Sequence, residues 1–300
     1  MLTSRPIRPL WVALASLVLM GPSAAQRSPA PNTVPPPITA PPITTPSITV
    51  PAVTVSLSAG LEGDASVLRS GLVWRVYADN AEAEKAVLVR KTDDPAPVLT
   101  LDPGAYIVHV TWGLATGTRR VVVGQTPLNE KIMLSAGGLR LGATLGDMRI
   151  PKDKLSFSIY VTANNDPQGR VIVENARADE VIRLPEGNYR VVSTYGDTNA
   201  TSSADVRVET GKVVDALMRH RAATVILKLV ANPGAEALAN TTFSVLTPGG
   251  DTIREAIGAF PSMTLAEGDY IVIARNGGRV FTQEFKVKSG VDRDVEVLVR

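Results

Sequence analysis

Cysteine is absent from the 300 residues of this chain. Its absence excludes disulfide bonds, thiolate metal sites and the acylated cysteine of a lipoprotein. A chain without such crosslinks depends on hydrophobic cores for its stability, and those cores need more residues than a small disulfide-bonded fold contains. We therefore expect ordinary domains, and the length suggests two or three of them.

An excess of one charge is also lacking. The sequence has 31 Lys and Arg residues and 29 Asp and Glu residues, which is a formal net charge of +2. Two of the basic residues, Arg5 and Arg8, lie in a leader that we expect to be removed, which leaves 29 of each sign. A neutral chain without a basic stripe lacks the electrostatic footprint of nucleic-acid or anionic-membrane binding. We therefore expect no nucleic-acid partner.

Catalytic motifs are lacking too. The two histidines, His109 and His220, occur in no metal-ligand spacing, and the sequence has no nucleophile elbow, P-loop or dinucleotide fingerprint. We expect His109 to point away from its own core and His220 to lie at a domain junction, in structural or solvated positions. The sequence thus predicts no catalytic residue, no metal, no cofactor and no enzymatic activity. A serine–lysine or paired-carboxylate site that forms only in the fold stays open.

One loop offers a metal-binding alternative. The segment ANNDPQG (163–169) contains Asn164, Asn165 and Asp166, whose oxygens suit a calcium ion. The same composition is what an ordinary polar turn requires. We favour the turn.

A long apolar run occurs near the N-terminus. The segment LWVALASLVLMG (10–21) follows the two arginines and precedes the small residues of SAAQ. This order is typical of a secretory signal peptide, which we assign to residues 1–25 with cleavage after Ala25. The twelve residues of this run fall short of the ~20 that a membrane-spanning helix needs, so we expect no transmembrane span in the mature chain. The predicted location is the periplasm, the cell surface or the medium, and the lack of cysteine favours a bacterial envelope.

Proline is concentrated in one segment. Residues 29–51 hold nine of the 22 prolines, interleaved with threonine and isoleucine. Proline fixes φ and disfavours the helical region for the residue before it, so this stretch favours polyproline II without a packed core. We interpret residues 26–51 as a disordered linker; a spacer or glycosylated stalk is the alternative.

From residue 52 onward the chain consists of short apolar runs separated by turn residues. The runs are rich in Val, Ile, Leu, Thr and Tyr, and Gly, Asn, Asp and Pro lie between them. Runs of four to eight residues with turn signals between them indicate β-strands, and no window shows a capped apolar stripe of helical period. The sequence predicts an all-β protein.

One phrase occurs three times: LDPGAYIV (101–108), LPEGNYRV (184–191) and LAEGDYIV (265–272). Around each tyrosine, leucine lies five residues before, glycine two before, valine two after and a second glycine seven after. An aromatic residue occupies one equivalent upstream position in each copy, namely Trp74, Phe157 and Phe243. We predict three copies of one domain, at 52–136, 137–221 and 222–300.

The repeated phrase predicts a tyrosine corner in each copy. Its members are Tyr106, Tyr189 and Tyr270 with the preceding Gly104, Gly187 and Gly268. We expect each glycine to supply the positive φ of a tight turn. Each tyrosine ring then points inward, and its hydroxyl bonds the backbone of the corner just crossed.

These units resemble the immunoglobulin-like and prealbumin-like β-sandwich modules of bacterial surface proteins, including the carboxypeptidase regulatory-like domains. The resemblance is best over residues 265–299 and extends over the three tandem units. It implies Greek-key β-sandwiches and a non-catalytic accessory or adhesive role. It names no ligand.

Scarce aromatic residues supply the binding hypothesis. Trp112 and Tyr195 both lie six residues after a corner tyrosine, at the mouth of a hairpin. Exposed there, they would stack on a sugar ring or anchor a protein partner; otherwise they cap their own sandwich or pack between neighbours. Outward positions beside the tyrosines are apolar as well, which favours contacts between domains or with another protein. They are Ile107, Val192, Ile271 and Ile273.

The function expected from these features is that of an exported, non-catalytic binding or structural protein of the cell envelope. Short junctions between the units predict a semi-rigid array. Its partner would be an envelope protein or polysaccharide. The alternative is an assembly subunit that pairs through exposed strand edges, and a hydrolase is the remaining possibility.

Overall fold

The computed structural model describes residues 51–79, 86–163 and 166–300. The predicted signal peptide and all but the last residue of the predicted linker lie outside these residues, as do Asn164 and Asn165 of the proposed calcium loop. Over the described part of the chain, the elements are 22 strands and one 3-10 helix, Lys152–Lys154.

Three groups of strands follow one another along the chain. The first group is β1 (Val53–Leu61), β2 (Leu72–Ala78), β3 (Val87–Thr92), β4 (Val98–Leu101), β5 (Gly104–Trp112), β6 (Ala115–Val123) and β7 (Leu128–Leu134). The second group is β8 (Ala136–Leu145), β9 (Met148–Arg149), β10 (Leu155–Ala163), β11 (Asp166–Ala176), β12 (Val181–Pro185), β13 (Gly187–Tyr195), β14 (Thr201–Val208) and β15 (Val213–His220). The third group is β16 (Ala222–Val230), β17 (Thr242–Leu246), β18 (Thr252–Ile257), β19 (Ser262–Ala266), β20 (Gly268–Asn276), β21 (Arg279–Val287) and β22 (Arg293–Leu298).

Each group builds two sheets with one recurring strand order. The three-stranded sheets are β4-β1-β7, β12-β8-β15 and β19-β16-β22. The four-stranded sheets are β3-β2-β5-β6, β11-β10-β13-β14 and β18-β17-β20-β21. The short β9 is an addition to the second group and pairs with β8. The prediction of an all-β chain built from tandem β-sandwiches is confirmed.

The first and last strands of each sandwich pair in parallel, whereas their other neighbours are antiparallel. This order differs from the constant-type immunoglobulin sandwich, in which the first, second, fifth and fourth strands share a sheet. The prediction of immunoglobulin-like sandwiches is confirmed at the level of the two-sheet architecture, with a strand order other than the constant-type one.

Alternation of side chains along the strands explains why they form two-layered sandwiches. In β1, Val53, Val55 and Leu57 are buried, and the residues between them face outward. Successive side chains of a strand point to opposite faces, so this pattern places one apolar face against the second sheet. Burying each such side chain contributes about 1.5–3 kcal/mol.

Each sandwich has its own hydrophobic core between its two sheets. Trp74, Phe157 and Phe243 hold the same place in the three cores and are at most 1% exposed. The sequence equivalence of these three aromatic residues is therefore confirmed by their burial.

The junctions between consecutive sandwiches are one residue long. Ser135 alone separates β7 from β8, and Arg221 alone separates β15 from β16. The two linker residues make the same hydrogen bond, since the Ser135 carbonyl accepts from the N–H of Glu186 and the Arg221 carbonyl from the N–H of Glu267, both at 2.9 Å. Such short, hydrogen-bonded linkers leave little freedom between neighbours.

Candidate functional site

The three repeated tyrosines make the same hydrogen bond. Each ring is at least 90% buried, and each hydroxyl donates to the backbone carbonyl four residues earlier. The oxygen–oxygen distances are 2.8 Å for Tyr106 and Asp102, 2.8 Å for Tyr189 and Pro185, and 2.9 Å for Tyr270 and Ala266. Burial raises the pKa of Tyr106 and of Tyr189, and the charge of Asp102 raises that of Tyr106 further. These two hydroxyls therefore stay protonated and act as donors.

The predicted role of the corner glycines is wrong. The left-handed residues in the described chain do not include Gly104, Gly187 or Gly268, each of which is the first residue of a strand. A Cβ added to any of them would lie 3.7–3.8 Å from Cε2 of the following tyrosine. The glycine is thus the surface over which the ring folds back, and it provides space rather than a positive φ. The glycines seven residues after the tyrosines, Gly113, Gly196 and Gly277, do have positive φ, as hairpin turns at these positions require.

The first joint, between sandwiches one and two, brings a hairpin onto a strand. The N–H of Leu114 donates to the carbonyl of Arg183 in β12 at 3.0 Å. A Cβ on Gly113 would lie 2.6 Å from Cβ of Arg183, so only glycine permits this approach. The Arg183 guanidinium lies 4.8 Å from the centre of the Trp112 ring, a cation–π contact.

The second joint, between sandwiches two and three, uses the equivalent hairpin and strand. The hydroxyl of Thr198 donates to the carbonyl of Thr264 in β19. The Asn199 side chain enters the next tyrosine corner: its amide donates to the Tyr270 hydroxyl at 2.9 Å, and its oxygen accepts from the N–H of Ala266 at 3.1 Å. An ion pair of 2.7 Å between Asp197 and Arg254 completes the joint.

The structure separates the two predicted binding aromatics. Trp112 is half-buried, with Arg183 over its ring and its indole N–H donating to the carbonyl of Ser70 at 3.1 Å. Tyr195 is 7% exposed and lies edge-on to His220, with ring centres 5.9 Å apart. The exposed ring on which the binding interpretation of Tyr195 depended does not exist, because this tyrosine closes the end of its own core. Trp112 packs between neighbours.

The histidines lie in different surroundings. His109 is half-buried on the outward face of β5, as expected from its alternation with Tyr106. His220 is 2% exposed inside the second sandwich, where Nε2 lies 2.8 Å from Oγ of Ser193. Burial lowers the pKa of His220, which keeps the ring neutral. Ser193 is itself fully buried, so this serine–histidine pair has no surface through which a substrate would reach it.

The outward face of the first four-stranded sheet carries two adjoining rows of side chains. Cross-strand pairing aligns Leu88, Tyr77 and Ile107 in one row, and Lys91, Arg75 and His109 in the next. Leu88 is 49% exposed, and Lys91 is exposed as well. We call these six residues the row surface. It places an apolar strip with one aromatic ring beside a strip of basic groups.

In the third sandwich, the corresponding face is different. Leu246 and Ile271 pair there in the positions of Tyr77 and Ile107. Their neighbours across the sheet are acidic, since Ile271 pairs with Glu284, and Ser244 pairs with Glu255. The basic character of the row surface is therefore not repeated in the third sandwich, and the neutral overall charge of the chain conceals it.

The described residues contain neither a metal-binding cluster nor a membrane-spanning helix. No group of three or more His, Asp or Glu side chains in the described chain is arranged to hold a metal ion. No helix among the described residues is long and apolar enough to cross a membrane.

Sequence reasoning missed Arg183, Asn199 and the basic row. The sequence did contain a signal for the strand side of both joints, because Arg183 and Thr264 each directly precede the leucine of a repeated phrase. No comparable signal marked Asn199, whose five-residue loop (196–200) is longer than the two-residue loop at the same place in the first sandwich. The basic row is invisible in net charge because it is local.

Several solved structures resemble this chain. The Bacillus anthracis TIE protein is 18% identical, with a TM-score of 0.26, and the alignment covers 83% of this chain and 50% of that one, so this chain spans about half its length. A streptococcal ancillary pilin is 13% identical, with a TM-score of 0.30 and coverage of 83% and 99%. GBS52, a minor pilin of Streptococcus agalactiae, is 14% identical, with a TM-score of 0.29 and coverage of 56% and 95%.

No curated protein sequence matches the chain. One family model matches within the third sandwich. Residues 224–299, about a quarter of the chain, are similar to the Rhizobiales growth-associated tandem repeat domain.

Proposed function

We propose that this chain is an exported, non-catalytic protein of the cell envelope whose sandwiches form a semi-rigid array that presents a surface to a protein or polysaccharide partner. The units of the array are residues 52–136, 137–221 and 222–300. Support for the array comes from the one-residue linkers and from the two joints, each of which fixes a hairpin on the next sandwich. Support for export comes from the leader and from the proline-rich segment that follows it.

The single observation that carries the binding function is the row surface. Tyr77 and Ile107 are half-buried neighbours on paired strands, so the ring is only partly exposed to solvent. Arg75, Lys91 and His109 lie one row away. An aromatic platform beside the Arg75 and Lys91 cations suits a sugar ring that carries or adjoins an acidic group. The finer proposal is therefore an acidic polysaccharide of the envelope.

The non-catalytic part of the proposal rests on accessibility. Catalysis requires an acid, base or nucleophile that touches a substrate. The serine–histidine pair of the second sandwich is enclosed in the core, and its histidine holds its hydrogen bond within the fold. The repeated tyrosine hydroxyls bond their own corners. These groups are placed to stabilise sandwiches.

Co-sedimentation with isolated envelope polysaccharide tests this function. The chain without its predicted leader, residues 26–300, should sediment with an acidic polymer, and binding should weaken as salt is raised because cations contribute to it. Tyr77→Ala and Arg75→Glu should each reduce binding at least about tenfold, the ratio that 1.4 kcal/mol represents. Leu246→Ala, at the position equivalent to Tyr77 in the third sandwich, is the matched control and should bind normally.

Three outcomes contradict parts of the proposal. Binding that survives Tyr77→Ala and Arg75→Glu would remove the row surface as its site. Retention of an envelope protein through these same residues, with no retention of polysaccharide, would replace the polymer with a protein partner. Hydrolysis of an ester, peptide or glycan by the purified chain would overturn the non-catalytic assignment.

A second candidate function is assembly through a strand edge. In the described chain β3 pairs with β2 and with no other strand, and its Val87, Leu88 and Val89 are 44–55% exposed. An apolar edge without a covering strand is a template for strand addition. A stable hetero-complex lost on Val89→Pro, with Tyr77→Ala having no effect, would favour this function over polymer binding.

A further inference from the structure

The two joints share one backbone design. In both, the hairpin after the corner strand lies on the residue that precedes the corner leucine of the next sandwich, Arg183 in one case and Thr264 in the other. The carbonyl of that residue accepts a hydrogen bond from the hairpin each time. A left-handed glycine, Gly113 or Gly196, allows the close approach. The donor differs, since it is a backbone N–H in the first joint and a side-chain hydroxyl in the second, so the shared elements are the accepting carbonyl and the close approach of the glycine.

Each half of this design occurs once more in the chain, without its counterpart among the described residues. The third hairpin turns at Gly277 and Gly278, and no described atom outside the turn lies within 4 Å of a Cβ built on either. Its two-residue loop has the length of the Gly113–Leu114 loop. In the first sandwich, Thr100 precedes the corner leucine and is exposed, and the nearby Val98 is 68% exposed.

The charges near these two surfaces are opposite. Arg275 and Arg279 flank the third hairpin, and both are exposed. Asp102, two residues after Thr100, is exposed at the first tyrosine corner. The second joint already uses an ion pair in a similar place, between Asp197 of the hairpin and Arg254 of the following sandwich. Opposite charge would favour the encounter and fix its register.

We propose that the third hairpin of one copy of this chain docks on β4 of a second copy, repeating the joint between molecules. The N–H of Gly278 would donate to the carbonyl of Thr100, as Leu114 does to Arg183. The two arginines would lie beside Asp102. Such a contact is head-to-tail, with different surfaces on the two copies, so it propagates from molecule to molecule rather than closing as a dimer.

This contact should be weaker between molecules than within the chain. Within the chain, a one-residue linker holds the two halves of each joint at an effective concentration on the order of millimolar or above. Between molecules no linker raises the effective concentration, so a hairpin contact alone should be weak in dilute solution. Association should appear at high protein concentration or where many copies share one surface. This inference does not depend on the row surface or its ligand.

The lack of native cysteine allows a clean crosslinking test. Thr100→Cys and Gly278→Cys chains, residues 26–300, are mixed and oxidised, and the disulfide-linked heterodimer is quantified. Thr118→Cys mixed with Gly278→Cys is the matched control, because Thr118 is equally exposed on the outward face of the first sandwich. Gly278 has a φ of +77°, so Gly278→Cys strains the turn, and the control mixture therefore contains the same strained chain. The proposal predicts at least tenfold more heterodimer than the control gives.

Two further variants complete the test. The double variant Leu114→Cys/Arg183→Cys should form a disulfide within one chain, since the N atom of Leu114 and the carbonyl oxygen of Arg183 are 3.0 Å apart. Failure to form this disulfide would overturn the joint itself and the proposal with it. Asp102→Lys in the Thr100→Cys chain should lower the heterodimer yield severalfold. A mixed yield equal to the control, or a faster Gly278→Cys homodimer, would overturn the head-to-tail contact. Loss of polysaccharide binding would leave all of these yields unchanged.

Discussion

The first and second sandwiches, each with the joint that follows it, have the same backbone arrangement. They differ in the side chains at equivalent positions. Where the first has Trp112 under a cation at its joint, the second has Tyr195 closed into its own core. The core of the first contains Val110 and Leu134 at the positions where the second contains Ser193 and His220. Yet both place a hairpin carrying a left-handed glycine on the following strand. In both joints, therefore, the hairpin glycine lies close to a strand of the next sandwich, while the side chains around this contact differ in chemistry.

The largest expected effect comes from closing the space at the first joint. Gly113→Ala should lower the free energy of unfolding by about 3 kcal/mol, because it adds left-handed strain of ~1–2 kcal/mol and also loses the hydrogen bond to Arg183. Gly277→Ala is at the same hairpin position, and nothing lies within 4 Å of the added Cβ. Its free energy of unfolding should therefore fall by the left-handed strain alone. Urea unfolding of both variants measures the difference. Equal losses would show that the first joint is not tightly packed.

A smaller effect should distinguish two tyrosine corners. Tyr106→Phe removes one hydrogen bond and should cost about 1 kcal/mol, whereas Tyr270→Phe should cost about 2 kcal/mol, because the Asn199 amide loses its acceptor too. In a double-mutant cycle, Asn199→Ala should cost less in the Tyr270→Phe chain than in the native chain, because only its bond to the N–H of Ala266 is then left to lose. Full additivity, measured by urea unfolding, would mean that Asn199 does not support the corner.

The cation over Trp112 should contribute less again. Arg183→Ala should lower stability by about 0.5–1 kcal/mol and shift tryptophan emission to the red as the indole meets water. Trp74, fully buried in the first core, provides a constant background. The same substitution in a Trp112→Phe chain should produce no spectral shift. A shift that persists there would place the changed environment elsewhere than the joint.

His220, which distinguishes the second core from the first, should not lower stability at neutral pH. It should lower stability increasingly as the solution becomes acidic. Burial lowers the pKa of His220, so below its unfolded value of about 6.5 the unfolded chain takes up a proton that the folded chain resists. Stability is therefore retained above that value and lost as the pH falls through it. The charged ring would also carry an N–H at Nδ1 with no acceptor among the described residues.

Calorimetry between pH 7.5 and 5 measures this loss. The double variant Ser193→Val/His220→Leu copies the first sandwich and should flatten the pH dependence of the unfolding temperature. An unchanged decline in acid would assign the loss to other groups.

The repeated phrase allowed the fold to be predicted because it requires the same backbone three times. The tyrosine hydroxyl, the inward aromatic residue and the hairpin glycine at Gly113 are local demands that leave a fixed spacing in the sequence. The error over Gly104 has a physical cause, since glycine gives either left-handed freedom or space for a ring, and the sequence does not distinguish the two.

The candidate site was less accessible to sequence reasoning because it depends on contacts between distant residues. Burial of Tyr195 follows from His220, 25 positions later, which a linear pattern does not pair with it. The row surface combines strands β2, β3 and β5, so its charge emerges only when cross-strand register is known. Short-range patterns therefore predict corners, whereas surfaces require the assembled sheet.

Parallel pairing of first and last strands has a mechanical consequence. The chain enters each sandwich at one end and leaves it at the other, so tension between its ends would draw β1 and β7 in opposite directions along their shared length. That pairing extends over seven residue pairs in the first sandwich, eight in the second and six in the third. The bonds of each such pair would bear the load together, in shear, instead of opening one after another. Each of the three sandwiches should therefore resist stretching between its two ends.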